Sequence, residues 1–153
     1  MLKFLVHLSR LALVALFLFT AGAKILTARG FAENVSNLVG QRWAWPVTVC
    51  VIAAELLAAA LLIWPRTVRA GAVWSAVLLL GFAGYALYYV YVLHGEPLEC
   101  GCFGGIIASQ LGVKTALRNL ALLIPALLVI FGLPRLRRKE QAIPDQPDVY
   151  LTI

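Results

Sequence analysis

Four long apolar runs separated by short polar breaks dominate the pattern along the chain. A helix needs about 20 mainly apolar residues to cross a bilayer. The runs that meet this length cover residues 5–28, 46–64, 70–93 and 113–132. None alternates apolar with polar residues, which argues against a barrel of strands. Pro46 suits a first helical position, where its missing N–H costs nothing. Pro134 reads as a stop after the fourth run, and Pro125 as a kink inside it. Between the second and third runs only 65–69 remain, so these two form a tight antiparallel hairpin. The segments 29–45 and 94–112 read as loops, and 135–153 as a basic and then flexible tail. The predicted fold is an all-α, antiparallel bundle of four transmembrane helices.

Composition agrees and narrows the field. The 153 residues are 62% hydrophobic and 13% charged, with a mean hydropathy of +0.90. A soluble domain is about 45–50% apolar and about 25% charged, and a small one leaves much of its surface in water. A soluble enzyme and a disordered chain are therefore excluded. The first run also has features of a signal peptide: basic Lys3 and Arg10, an apolar middle, and Ala21-Gly22-Ala23 as a small-x-small site. Against cleavage, apolar character resumes at Ile25 and Leu26.

The net charge of +6 changes the picture through its distribution. Four spans put both termini and the 65–69 turn on one side. That side carries Lys3, Arg10, Arg66, Arg69, Arg135, Arg137, Arg138 and Lys139. The other carries Arg29, Arg42 and Lys114. Basic loops stay in the cytoplasm, so the expectation is a bacterial inner-membrane protein with both termini inside and the 94–112 loop outside. Aromatic residues fit two interfacial belts, with Trp43, Trp45, Tyr88, Tyr89 and Tyr91 outside and Trp64 and Trp74 inside. The basic excess needs no nucleic acid. It is a topology signal with some attraction to anionic lipid.

Two groups of residues carry candidate chemistry. Cys100 and Cys102 flank one glycine in the outer loop, on the side where disulfides persist. A Cys-Gly-Cys disulfide closes a very small ring, and a strained disulfide oxidises other thiols readily. A bridge across one residue restrains almost no chain entropy, which favours redox use over stapling. Two other readings stay open: soft-metal binding, with only His94 and Glu99 as further nearby ligands, and small residues in a Gly-rich turn. Cys50, one turn into the second span, reads first as a small buried apolar residue and second as a resolving thiol.

The other group is Lys24, Glu55 and Arg118, ionisable residues that interrupt apolar runs. Each costs a few kcal/mol unless paired or hydrated. At about 1.5 Å per residue all three fall at roughly 7–14 Å depth from the outer side. They can form one cluster beneath the cysteine loop, with Asn119 able to add a hydrogen bond. Such a cluster either fixes helix register, with the bases snorkelling outward, or favours a thiolate above it. It could also position a carbonyl-bearing partner such as a quinone.

Phe19-Thr20-Ala21-Gly22-Ala23-Lys24, Glu55, Cys100-Gly101-Cys102-Phe103-Gly104 and Arg118-Asn119-Leu120 together resemble the DoxX-like/MauE family of small four-helix membrane proteins. The cysteine string points to the MauE branch, and the likeness spans about residues 4–133. The resemblance implies extracytoplasmic redox maturation of exported proteins, with Cys100 and Cys102 as the redox pair. A membrane quinone is the candidate electron acceptor and an exported protein thiol the expected partner. No motif in the chain identifies a cofactor site. Two alternatives are a non-catalytic subunit or assembly factor of a larger membrane complex, and soft-metal transport through Cys100, Cys102 and Cys50.

Overall fold

The computed structural model describes residues 2–92 and 113–141, with side chains from 3 to 92 and from 113 to 133. All regular structure among them is helical. The helices are α1 (Leu2–Leu26), α2 (Ala28–Val39), α3 (Gln41–Ile63), α4 (Val68–Tyr91), α5 (Val113–Ala121) and α6 (Leu123–Gln141). Four stretches are long and apolar enough to cross a membrane: Lys3–Leu26, Gln41–Ile63, Val68–Tyr91 and Val113–Leu133.

The inward face of each span follows helical spacing. On α1 the buried residues are Val6, Ser9, Leu13, Phe17, Thr20, Ala21, Ala23 and Lys24. Most lie three or four residues apart, the repeat that keeps side chains on one helical face. Small residues recur where α3 meets α4, with Ala58, Ala59, Gly71 and Ala72 buried, and these let backbones approach closely. α1 packs on α3, α3 on α4, α4 on α5 and α6, and α6 back on α1, which closes a four-membered ring. Leu13, Phe17, Leu62, Leu79 and Val129 fill its centre.

The outside of the ring is apolar as well. Only 28–33% of each span is buried within the bundle, and Phe4, Leu11, Val49, Leu57, Val77, Ile124 and Phe131 are exposed. In water such a surface would aggregate. In lipid it is solvated, and the chain is a multi-pass membrane protein.

Several boundaries differ from the sequence reading. The 29–45 segment is not a loop: α2 fills most of it and packs against α3. Gly40, at φ +80°, supplies the turn between them, a backbone conformation that glycine adopts at little cost. α3 therefore starts five residues before Pro46, which lies inside the helix rather than at its first position. α6 runs through Pro134 to Gln141, so Pro134 does not stop it and Arg135–Lys139 belong to the helix. The fourth span is interrupted at Leu122. Pro125 lies three residues on and has no N–H to return to the Ala121 carbonyl, which places the break one turn before it. Tyr89 is buried and faces Tyr85 at 6.4 Å between ring centres, so it is not part of an interfacial belt. Trp43, Trp45, Tyr88, Tyr91, Trp64 and Trp74 are exposed.

Candidate functional site

Lys24 and Glu55 enter the bundle because each falls on the buried stripe of its helix. Lys24 continues the Leu13, Phe17, Thr20 row of α1, and Glu55 lies between Thr48 and Ala59 on α3. Both are 1% exposed. The Lys24 ammonium donates to Glu55 Oε1 at 2.7 Å. Two aromatic rings flank the ammonium, Phe31 of α2 and Phe82 of α4, each 5.3 Å from it. A ring face attracts a cation, more so when water is excluded. Four helices thus converge on one positive charge.

A cavity of about 20 Å³ adjoins the pair. Thr20, Lys24, Glu55, Arg118 and Asn119 are its polar lining, and Phe17, Leu79 and Phe82 are among its apolar walls. The spans thus bring Lys24, Glu55 and Arg118 to one place. Asn119 is 5% exposed and joins them there. Its Nδ2 and the second carboxylate oxygen of Glu55, Oε2, are buried without a hydrogen-bond partner. Its volume exceeds what a single water requires.

Cys50 is elsewhere. It is exposed on the outer surface of α3, not buried in the bundle, so its first sequence reading fails. Cys100, Cys102, His94 and Glu99 lie outside the described residues. Among the described residues no group of three or more His, Cys, Asp or Glu side chains could hold a metal ion.

Sequence reasoning missed the two rings around Lys24. Phe82 sits in a run where every position is apolar, so nothing distinguishes it. Phe31 had a usable signal: Phe31, Ala32, Val35 and Leu38 recur at helical spacing within a polar segment.

The arrangement defines a class: a four-span helical membrane protein with a buried ion pair among its described residues. The chain belongs to the MauE family, whose model, described as methylamine utilisation protein MauE, matches residues 2–132. No curated protein and no solved structure matches the chain.

Proposed function

We propose that the protein is an integral membrane thiol-redox component that supports disulfide formation or redox maturation of exported proteins. Cys100 and Cys102 are the redox pair. A partner thiolate attacks one sulfur of their disulfide and a mixed disulfide forms. The partner's second thiolate then displaces the remaining sulfur. The partner leaves with a new disulfide, and Cys100 and Cys102 leave as two thiols. Their two electrons and two protons pass to a membrane quinone, which becomes a hydroquinone. Both termini are cytoplasmic and the 94–112 segment faces outward, as the basic residues indicate.

Membership of the MauE family and the DoxX-like residue pattern support this reading. The observation that carries it is the position of α5. In sequence this helix begins eleven positions after Cys102, and it takes Arg118 and Asn119 to the lining of the cavity beside Lys24 and Glu55. Four residues separate Val113, where α5 begins, from Arg118.

The test is the redox state of the pair in native membranes, read by alkylation and mass shift before and after quinone depletion. We expect an oxidised pair that becomes reduced on depletion. Cys100→Ser and Cys102→Ser should each abolish maturation of the exported partner while the protein still inserts. A pair that stays reduced throughout, or full activity in both variants, contradicts the proposal.

A further inference from the structure

We propose that the cavity beside the Lys24–Glu55 pair is a hydration site. One bound water there donates a hydrogen bond to Glu55 Oε2 and accepts one from Asn119 Nδ2. Both side chains line the cavity and are more than nine-tenths buried, and neither atom has a partner within the protein. An unsatisfied buried polar atom costs about 1–3 kcal/mol, more where charge is involved, and lipid offers no substitute partner. A cavity holds a water when it offers more than about 10–15 Å³ and two to four polar partners. This one offers about 20 Å³. Lys24, Thr20 and Arg118 supply the other polar groups around it, and Leu16, Phe17, Leu79, Phe82 and Leu122 line it with apolar surface.

The site sets an exchangeable O–H against an intramembrane carboxylate. Membrane proteins use buried carboxylates for proton relays, and a dry ion pair would lack the water that such a relay needs. The inference depends on neither Cys100 nor Cys102.

Asparagine makes the test clean, because the chain has only Asn34, Asn37 and Asn119. With asparagine-selective nitrogen-15 labelling in lipid nanodiscs, three side-chain amide signals appear. Asn119→Ser identifies the third by its loss. We expect the Asn119 amide protons to show direct magnetisation transfer from water despite their burial. Leu79→Phe should fill the cavity and reduce that transfer at least fivefold, with the Asn34 and Asn37 signals unchanged as evidence of folding. If those signals move, Leu16→Phe replaces it as the filling variant. Absence of transfer to Asn119 in the wild-type protein overturns the proposal, as does undiminished transfer in a folded, cavity-filled variant.

Discussion

At the end of the bundle where α3 turns into α4, several side chains reach backbone carbonyls near the turn. Arg10 donates from Nε to the Leu62 carbonyl and from Nη2 to the Ile63 carbonyl, both at 2.6 Å. These carbonyls close α3, where a helix leaves acceptors unsatisfied and welcomes positive charge. Thr67 Oγ1 donates to Leu61 at 2.9 Å, and Ser75 Oγ to Gly71 at 2.7 Å. Toward the other end lie Lys24 and Glu55, joined by one hydrogen bond, with Glu55 Oε2 and Asn119 Nδ2 unsatisfied beside a cavity. In the first region charged and hydroxyl donors end on backbone acceptors. The second keeps polar capacity in reserve, deep in an apolar bundle. Complete satisfaction gives a rigid hinge between spans, whereas spare donors and acceptors leave a place where a small polar molecule can act.

That contrast predicts a graded set of mutational costs. The largest falls on the charge pair. Glu55→Ala leaves Lys24 buried without its carboxylate and should cost about 3–5 kcal/mol, measured by reversible unfolding in mixed micelles. Gly71→Ala comes next. An added Cβ would lie 2.8 Å from Leu62 N and 2.9 Å from Leu61 C, both backbone atoms that cannot swing away. The same assay should show a loss of about 1–3 kcal/mol from overpacking. Arg10→Gln removes the charged donor from the end of α3 and should cost about 1–2 kcal/mol. A smaller effect belongs to Trp74, whose Nε1 donates to the Ala54 carbonyl at 3.1 Å. Trp74→Phe should cost about 1 kcal/mol. Cys50→Ala, on the exposed face of α3, should stay within about 0.5 kcal/mol. If Gly71→Ala and Arg10→Gln proved silent while Trp74→Phe was severe, the contrast between the two regions would fail.

Spans were readable from the residues because the membrane imposes one requirement on all of them: about 20 apolar residues in a row. The inward position of Lys24 and Glu55 was readable for a related reason. A charge inside an apolar run has to face a partner, and the two lie at similar depth on neighbouring spans. Helix ends were less legible. The sequence places a helix start at Pro46, yet Gly40 sets the turn and α3 begins at Gln41. The sequence places a stop at Pro134, yet α6 continues past it. Proline lacks only one donor, and neighbouring turns can carry the helix through. α2 was hidden because Arg29, Glu33, Asn34, Ser36 and Asn37 dilute its apolar stripe, and that stripe is what places Phe31 beside the Lys24 ammonium. The unpartnered atoms and the cavity depend on side-chain positions that no spacing rule supplies.

The central claim is that Lys24 and Glu55 act as one unit inside the membrane. A double-mutant cycle with Lys24→Met, Glu55→Leu and the double variant tests it most directly. Each single change should destabilise by about 3–5 kcal/mol, because it strands the opposite charge in an apolar interior. The double variant should be far less destabilised than the sum of the two, since two matched apolar side chains then replace the pair. Single losses that simply add in the double variant would contradict the account.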